Sequence, residues 1–297
     1  MSRLWHIITA AACTALLLAS AACGNANGSA HHTQDEPLTV TASINQWGTL
    51  AKELGGDLVT VSSIINSTNV EAHDYEPTTA DVKRLCTSAV TIVNGADYDS
   101  WALKAATNGN GAIVNAAQSG GKKDGDNPHV WFSAKVRTAT ADAITSAYRK
   151  AMPAKADEFT KLNRAWHNRE TELEERIAKT REATKGMRYG ATESVARYLA
   201  DDLGMVDRTP AGYTQAIAND SEPTPSDITQ FVSTLTSKRV AMLILNPQEA
   251  NAMTNQLTDT AKRADVPVVE ISEQMPDTYD SLLDWMSALV SAIGHTS

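Results

Sequence analysis

The sequence has little cysteine, with three residues in a chain of 297. Cys13 lies in an apolar leading segment and Cys23 at the end of that segment, so Cys86 is the single cysteine left for the folded part. One cysteine can form neither an intramolecular disulfide nor a cysteine-based zinc cluster. Because Cys86 lies in the apolar stretch VKRLCTSAV, we predict that it is a small buried hydrophobic residue.

Clustered positive charge is also missing. The chain carries 26 Lys and Arg against 35 Asp and Glu, which gives a formal net charge of −9. Binding along a nucleic-acid backbone requires clustered basic side chains that neutralise phosphates, so we predict no nucleic-acid partner. The length and the apolar share of 42% are typical of a water-soluble globular protein with two domains.

Long apolar runs are limited to one, residues 4–18, which is too short for a membrane-spanning helix. A basic residue before it and small residues after it predict a secretory signal peptide over residues 1–22. The tetrapeptide SAAC is similar to a bacterial lipobox, although Ser20 stands where Leu is usual, and it predicts lipidation of Cys23. Plain cleavage and release is the alternative. The small, polar residues that follow predict a lipidated cysteine and tether over 23–36.

Two sets of β-rich runs alternate with helix-like segments, the pattern of parallel βαβ units. The predicted strands are 38–42, 59–65, 89–93 and 112–115 in the first set, and 187–191, 239–245 and 266–271 in the second.

Between the two sets, apolar residues recur at steps of three, four and seven. They predict one amphipathic helix over 153–185, opened by Pro153 and closed by Gly186, with a length of about 50 Å. We therefore predict an α/β fold with two lobes, 37–152 and 186–297. Each lobe is a mainly parallel sheet flanked by helices, and one long rigid helix joins them.

A seven-residue pattern occurs twice, as EPTTADV at 76–82 and as EPTPSDI at 222–228. In each copy a threonine can cap a helix, and the carboxylate of an aspartate three residues later can accept a hydrogen bond from the backbone N–H of that threonine. Each copy is followed, after a helical stretch, by an apolar strand that ends in asparagine, at Asn94 and at Asn246. The repeat predicts two duplicated half-domains.

Motifs of common enzyme classes are absent: there is no Walker loop, G-x-G-x-x-G, H-E-x-x-H, G-x-S-x-G or EF-hand spacing. Two histidines nevertheless lie in loops that follow predicted strands. His73 precedes the first repeated helix, and His129 lies in NPHVW, where Pro128 and the apolar residues after it would hold the imidazole. Open α/β sheets bind their ligands beyond the carboxyl ends of strands. His167 and His295 are interpreted as solvated.

Seven segments, in order, resemble the cluster 9 metal-binding lipoproteins, the extracytoplasmic solute-binding components of zinc and manganese ABC importers. The segments are TASINQWGTLAKELGGDLVTV, EAHDYEPTTADV, TIVNGADYDSWALKA, NPHVWFS, YGATESVARYLADDLG, ILNPQEA and VPVVEISEQMP. They cover essentially the whole chain after the leading segment. The resemblance implies two α/β lobes joined by a long helix, and one divalent metal ion held in the cleft by four side chains.

Carried over by motif, the resemblance implies four metal ligands: His73 of AHDYEP, His129 of NPHVW, Glu193 five residues before Tyr198, and Glu273 after the strand VPVVEIS. At the third position, zinc importers of this family usually have His, and manganese-type members usually have Glu. At the fourth position the family commonly has Asp, and Glu270 and Asp277 are alternative carboxylates close to Glu273.

Two neutral imidazoles and two carboxylates would form a site of charge −2 that a divalent cation neutralises. Carboxylates supply one or two oxygens each, and such oxygen-rich sites suit manganese, whereas zinc prefers four nitrogen or sulfur donors. The stretch 118–127 also lacks the histidines found in the long loop of many zinc-type relatives. We therefore predict Mn²⁺ or Zn²⁺, with a slight preference for manganese. The preference is only slight, because zinc binds N/O sites more strongly in general.

The predicted function is capture of this metal ion outside the membrane and its delivery to an ABC permease with a cytoplasmic ATPase. The protein would be a monomer, anchored by lipid to the bacterial cell membrane. Four protein ligands leave no open position for an activated water, so we predict that the protein is not an enzyme. A metal-dependent hydrolase or a surface adhesin on the same fold is the alternative.

Overall fold

The structure, a computed structural model, describes residues 36–70, 72, 75–219 and 221–296. The predicted signal peptide and Cys23 lie outside the described residues, and so does His73. Within these described ranges, no helix has both the length and the apolar character that crossing a membrane requires.

The first sheet contains four parallel strands in the order β2-β1-β3-β4. Its strands are β1 (Leu38–Ile44), β2 (Val59–Ile65), β3 (Val90–Val93) and β4 (Ala112–Asn115). Its helices are α1 (Asn45–Gly55), α2 (Thr79–Thr87), α3 (Ser100–Ala106), α4 (Ala116–Ser119) and α5 (Ala134–Ala151). A one-turn 3-10 helix, Val130–Phe132, comes between α4 and α5. All four predicted strands are present, within two residues of their predicted bounds.

One long helix, α6 (Ala156–Thr184), follows the first sheet. Its 29 residues extend over about 44 Å at 1.5 Å per residue. It starts three residues later than predicted, because Pro153 opens a separate 3-10 turn, Pro153–Lys155. Gly186, with φ of 79°, follows its end as predicted, since glycine adopts that left-handed conformation without strain. The helix packs against α1 and α5 of the first lobe and against the helix Leu282–Gly294 of the second lobe.

The second sheet repeats the order of the first, as β6-β5-β7-β8, with all strands parallel. Its strands are β5 (Arg188–Ala191), β6 (Val206–Asp207), β7 (Met242–Leu245) and β8 (Val268–Glu270). Its helices are α7 (Arg197–Asp202), α8 (Ala211–Ile217), α9 (Pro225–Thr236), α10 (Ala252–Arg263) and α11 (Leu282–Gly294). Strand β6 was not predicted, because a two-residue strand is too short to show an alternating pattern.

The repeated motif caps the corresponding helix of each lobe. Thr78 accepts a hydrogen bond from the Asp81 backbone N–H at the start of α2, and the Asp81 carboxylate accepts one from the Thr78 backbone N–H. Thr224 and Asp227 form the same capping box at the start of α9. Because α2 and α9 each precede the third strand of a sheet with the same strand order, the structure supports the predicted duplication. The two-lobe α/β fold is confirmed.

One apolar core runs through both lobes. The same cluster contains Leu38 at the start of β1 and Ile293 near the end of α11. Phe132 of the first lobe and Trp285 of α11 pack with ring centroids 5.5 Å apart. Cys86 lies outside this cluster and is half-buried rather than fully buried, with its thiol donating to the Ala105 carbonyl at 3.2 Å.

Candidate metal centre

Three of the four predicted ligands lie in loops at the carboxyl ends of the strands. His129 immediately precedes the 3-10 turn Val130–Phe132 of the first lobe. Glu193 lies two residues beyond β5, and Glu273 lies three residues beyond β8. Parallel strands place these loops at one edge of a sheet, which is where open α/β proteins bind their ligands.

The three side chains converge closely enough to hold one metal ion. The Nε2 atom of His129 is 2.8 Å from Oε1 of Glu273 and 3.7 Å from Oε1 of Glu193. One nitrogen or oxygen from each residue can be chosen so that all three atoms lie within 4.8 Å of one another. No second group of this kind occurs among the residues that the structure describes.

The geometry also separates Glu273 from the two neighbouring carboxylates. Glu273 is 2% exposed and belongs to the cluster with His129. Glu270 ends β8 with its side chain exposed, and Asp277 is exposed in the following loop. Neither of these two is part of the cluster, so Glu273 is the one of the three neighbouring carboxylates that the structure brings together with His129 and Glu193.

Burial makes the charge of this cluster costly. His129 and Glu273 are each 2% exposed, and the side chain of Glu193 is 12% exposed. Burial, followed by the negative charge of Glu273, raises the pKa of Glu193 to about 7, while His129 and the amide of Asn246 act in the opposite direction. A cation placed between these groups would relieve the repulsion between two buried carboxylates.

Each carboxylate has one oxygen held by a neighbouring side chain. Oε2 of Glu273 accepts a hydrogen bond from the Tyr98 hydroxyl at 3.1 Å. Gln274 in turn donates to that hydroxyl oxygen at 2.7 Å. Oε2 of Glu193 accepts from the Asn246 amide at 2.7 Å. These bonds direct both Oε1 atoms towards His129.

The Glu273 loop is further tied to the first lobe through its backbone. At the start of α1, Gln46 donates to the Glu273 carbonyl at 2.6 Å and Asn45 donates to the Met275 carbonyl at 2.6 Å. Gln46 and Asn45 are both buried. The loop that carries Glu273 is therefore held from the opposite lobe as well as from its own.

The imidazole of His129 is oriented by Asn127. Oδ1 of Asn127 accepts from the His129 backbone N–H at 3.0 Å and lies 2.8 Å from Nδ1 of the same residue. The amide nitrogen of Asn127 donates to the Ser194 carbonyl at 2.9 Å, which fixes which end of the amide faces the ring. The ring therefore turns Nδ1 towards Asn127 and Nε2 towards the two carboxylates.

Aromatic rings and one buried ion pair support the His129 loop. The Trp131 ring packs edge-on against His129, with centroids 5.4 Å apart, and against Tyr98 at 5.3 Å. Arg137 donates to the Trp131 carbonyl at 3.1 Å and pairs with Glu170 of α6 at 2.6 Å. Both partners of that ion pair are buried, so the long helix is connected to the backbone two residues after His129.

Sequence analysis did not predict the roles of Asn127, Tyr98 and Asn246. The signal for Asn246 was present in the repeat, because an asparagine ends the third strand of each sheet. Asn94, its counterpart, accepts from the Trp47 indole N–H at 3.0 Å and donates to the Pro128 carbonyl at 2.8 Å. The two repeated asparagines therefore hold the loop before His129 in one lobe and the Glu193 carboxylate in the other.

Residues 40–295 match the sequence model of the family described as zinc-uptake complex component A, periplasmic, or ZnuA. This chain belongs to the ZnuA family. Its members are substrate-binding proteins of ABC importers and are not enzymes, so the hydrolase alternative is set aside. The resemblance to cluster 9 metal-binding lipoproteins is confirmed by this match.

Relatives of this ZnuA-family chain differ in the metal that their names carry. The manganese-binding lipoprotein MntA of Bacillus subtilis is 25% identical over 253 residues, covering 80% of each chain. The high-affinity zinc uptake system protein ZnuA of the same organism is 24% identical over 255 residues, covering 78% of this chain and 77% of its own. The solved structure of the periplasmic zinc-binding protein TroA from Treponema pallidum matches with a TM-score of 0.73 at 18% identity, over 88% of this chain and 99% of TroA. That structural likeness shows the shared fold.

Proposed function

We propose that this protein captures one divalent transition metal ion, Mn²⁺ or Zn²⁺, and delivers it to an ABC permease driven by a cytoplasmic ATPase. The proposal is supported most directly by the convergence of three side chains, the buried His129 and Glu273 and the mostly buried Glu193, on one point between the lobes. With His73 as the fourth ligand, the set has two neutral imidazoles and two carboxylates. A divalent cation would neutralise its charge.

Donor chemistry gives manganese a slight preference as cargo. Two carboxylates make the set rich in oxygen, and oxygen ligands suit Mn²⁺ better than the nitrogen and sulfur ligands that Zn²⁺ favours. Zinc is nevertheless higher in the general order of affinities for such sites. The hydrogen bonds from Tyr98 and Asn246 to the Oε2 atoms also favour binding through one oxygen per carboxylate, which matches four-coordinate zinc. Competition between the two metals is therefore the decisive comparison.

Release of the cargo follows from the way the two lobes divide the ligands. His129 belongs to the first lobe, as His73 does in the sequence, and both carboxylates belong to the second. A small movement of one lobe relative to α6, on docking to the permease, would separate imidazoles from carboxylates. Loss of half the ligands would then lower the affinity for the metal ion.

Anchoring at the membrane completes the proposal. We propose that Cys23 is lipidated and that residues 23–36 tether the folded part to the outer face of the bacterial cell membrane, as a monomer. The name of the related MntA protein includes the word lipoprotein. A metabolic label with radioactive palmitate would be incorporated into the wild-type chain and lost from the Cys23→Ala variant; an unlabelled wild-type chain would contradict the anchor.

The function is tested by elemental analysis of protein purified without added metal, followed by equilibrium competition between Mn²⁺ and Zn²⁺. We expect about one metal ion per chain. Retention of Mn²⁺ against an equal concentration of free Zn²⁺ would establish manganese as cargo. Displacement by Zn²⁺ would only follow the general order of affinities, and the metal found in the protein as purified would then identify the cargo. A chain that binds neither ion would contradict the proposed function.

A further inference from the structure

Gln248 connects the two parts of the second lobe that hold the carboxylates of the candidate metal centre. It lies in the 3-10 turn after β7 and is half-buried. Its backbone N–H donates at 3.1 Å to Oδ1 of Asn246, whose amide nitrogen holds Glu193. Its side chain bonds to Gln274, which follows Glu273 directly. One residue therefore contacts the supports of both carboxylates.

The side chain of Gln248 and the residue Gln274 are bonded in both directions. The backbone N–H of the fully buried Gln274 donates to Oε1 of Gln248 at 3.0 Å, and Nε2 of Gln248 donates to Oε1 of Gln274 at 2.9 Å. A backbone N–H can only donate, so it selects the orientation in which Oε1 of Gln248 faces it. The amide nitrogen of Gln248 must then face the side-chain oxygen of Gln274. The orientation of one amide thereby fixes the orientation of the other.

This orientation sets the direction of the next two hydrogen bonds. Because Oε1 of Gln274 is bonded to Gln248, the amide nitrogen of Gln274 faces the Tyr98 hydroxyl oxygen, at 2.7 Å. An amide nitrogen does not accept hydrogen bonds, so the hydroxyl proton is directed away from it, and Oε2 of Glu273 accepts that proton at 3.1 Å. The polarity of the Gln248 amide thus reaches an oxygen of Glu273 through two intermediate side chains.

Holding one oxygen of each carboxylate limits the number of donor atoms that can reach a metal ion. Oε2 of Glu273 and Oε2 of Glu193 each accept a hydrogen bond, and the two Oε1 atoms face His129. A carboxylate can bind a cation through one oxygen or through both, and these bonds favour one. With His73 as the proposed fourth ligand, the site then offers four donor atoms instead of six. Four donors suit Zn²⁺, whereas six oxygen-rich donors suit Mn²⁺.

We propose that Gln248 is a positioning residue that restricts the Glu273 carboxylate to one metal-binding oxygen, and so shifts the selectivity of the site towards Zn²⁺ and away from Mn²⁺. It acts through Gln274 and Tyr98. The inference rests on the proposed function, because it assigns a determinant of metal selectivity to that same site. It holds for either cargo, since selectivity is the ratio of the two affinities and not the identity of the ion that is carried.

Two substitutions at Gln248 disturb this path in different ways. Gln248→Ala removes both bonds to Gln274 and leaves the Gln274 amide without a fixed orientation. Gln248→Glu keeps an acceptor for the Gln274 backbone N–H but places a second oxygen against the Gln274 side-chain oxygen. We expect the Gln274 amide to rotate by half a turn in this variant. Its oxygen would then face the Tyr98 hydroxyl and compete with Glu273 for the proton.

Two further variants separate the path from other consequences of these substitutions. Nε2 of Gln248 also lies 3.4 Å from the Val70 carbonyl of the first lobe, and both substitutions remove this contact. Tyr98→Phe keeps the Val70 contact and removes the bond to Glu273, so it should reproduce the selectivity change of Gln248→Ala. Gln256→Glu adds the same negative charge as Gln248→Glu at an exposed position of α10. It should leave the ratio of the two affinities unchanged.

The test uses the full chain and two readouts. Titrations against competing chelators give the affinities for Zn²⁺ and for Mn²⁺, and X-ray absorption of each loaded protein gives the number of donor atoms around the ion. For the wild type we expect four donors around Zn²⁺. In both Gln248 variants we expect the ratio of Zn²⁺ affinity to Mn²⁺ affinity to fall by about 10-fold, the lower end of the range for losing a group that orients a metal ligand. The number of donors around Mn²⁺ should rise by one.

Thermal unfolding without metal checks that each variant is folded, and Gln248→Glu and Tyr98→Phe provide the test where Gln248→Ala does not fold. Folded variants that keep the wild-type affinity ratio and the wild-type number of donors would overturn this inference and leave the proposed function intact. A wild-type chain that binds both ions with both oxygens of Glu273 would do the same. A wild-type chain that binds neither ion would overturn the proposed function.

Discussion

The two lobes share one strand order but hold the metal-facing groups in different ways. In the first lobe, Asn94 after β3 fixes the backbone of the loop before His129, and aromatic rings pack around the imidazole. In the second lobe, Asn246 after β7 holds the Glu193 carboxylate directly. The first lobe thus positions an imidazole by ring packing and by the contact with Asn127, and the second positions the Glu193 carboxylate by a hydrogen bond. A duplicated scaffold can retain its framework while its two halves supply ligands of different chemistry.

The two helix-capping boxes also differ in what surrounds their aspartates. Asp81 of the first box also accepts from the Tyr75 hydroxyl at 2.8 Å and pairs with Arg84. Asp227 of the second box bonds to Thr224 and packs against Gly212, where a Cβ would lie 2.0 Å from its Oδ1. The first box is therefore part of a larger polar network, while the second depends on close packing of a glycine.

Removing a carboxylate from the second lobe should have the largest effect on metal binding. Glu193→Gln and Glu273→Gln each retain the shape of the side chain but lose its charge. We expect each to lower Mn²⁺ affinity by at least about 100-fold, because losing a residue that only orients a metal ligand already costs about 10–100-fold. Isothermal titration against a competing chelator measures the loss. The control is Glu270→Gln, exposed and three residues from Glu273, which should change affinity by less than about twofold.

The first lobe should show the opposite metal preference. Imidazole suits Zn²⁺ better than Mn²⁺, so His129→Ala should weaken Zn²⁺ binding by a larger factor than Mn²⁺ binding, while the two carboxylate variants should do the reverse. Titrations of all three variants with both ions give the ratio of the two losses. Equal losses for both ions in every variant would remove the proposed division of ligand chemistry between the lobes.

We expect the buried ion pair that joins the long helix to the first lobe to contribute more stability than the exposed ion pair that joins it to the second. Glu170→Gln leaves Arg137 as a buried charge without its partner, and breaking such a pair costs about 3–5 kcal/mol of unfolding free energy. Asp284→Asn removes the exposed contact of Arg169 with α11, which is worth less than about 1 kcal/mol. Urea unfolding of both variants measures the difference. Similar costs for the two substitutions would contradict the larger contribution expected of the buried pair.

Stability without metal should depend on pH in opposite directions in the two lobes. Burial and the charge of Glu273 raise the pKa of Glu193 from an ordinary 4.5 to about 7. Between these two pKa values, Glu193 keeps a proton in the folded chain and loses it in the unfolded chain. The contribution of Glu193 to the free energy of unfolding therefore falls as pH rises. Burial acts to raise the pKa of Asp81, but hydrogen bonds, first from Thr78 and Tyr75, outweigh it and lower the pKa from 3.8 to about 2.

For Asp81 the unfolded chain binds the extra proton between about pH 2 and 4, so its contribution rises with pH over that window and is lost as pH falls through 2. We measure the free energy of unfolding in urea from pH 2 to 8. Its decrease with pH between about 4.5 and 7 should disappear in Glu193→Gln, and its increase with pH between about 2 and 4 should disappear in Asp81→Asn. Unchanged slopes in both variants would contradict these two assignments. Metal affinity should also rise as pH increases through about 7, because the cation competes with the proton on Glu193.

The smallest effects are expected at the caps themselves. Thr78→Ala and Thr224→Ala each remove one side-chain acceptor at a helix start, at a cost of about 1 kcal/mol. We expect the larger cost for Thr78, because its hydroxyl also donates to the Asp81 carboxylate that binds Tyr75 and Arg84. Thermal unfolding of matched samples compares them, and a larger cost for Thr224 would show that the glycine-packed cap is the more important one.

The sequence was informative where structure repeats over many residues. Alternating strands and helices, the apolar stripe of α6 and the duplicated cap all have periods or motifs that a single chain displays. Strand β6 and the exact start of α6 were missed, because a two-residue strand has no pattern and Pro153 is compatible with either kind of helix start.

The site was predictable only in its proposed ligands. The resemblance named His129, Glu193 and Glu273, and the structure places these three together. Tyr98 and the Arg137–Glu170 pair could not be found, because each acts through a partner distant in sequence, 175 residues for Tyr98 and Glu273 and 33 for Arg137 and Glu170. Asn127 is only two residues from His129, but its second partner, Ser194, is 67 residues away. Which oxygen of a carboxylate is held, and which end of an amide faces a ring, depend on three-dimensional contacts that no local motif records.

The most direct measurement is a crystal structure of the full chain loaded with Mn²⁺ or Zn²⁺, with the ion located by its anomalous scattering. We predict a single ion between the lobes, bound by Nε2 of His129 and by oxygens of Glu193 and Glu273, with His73 as the fourth ligand. The amide of Asn127 should retain its contacts with Nδ1 of His129 and with the Ser194 carbonyl. An ion bound elsewhere, or coordinated by side chains of only one lobe, would contradict the account.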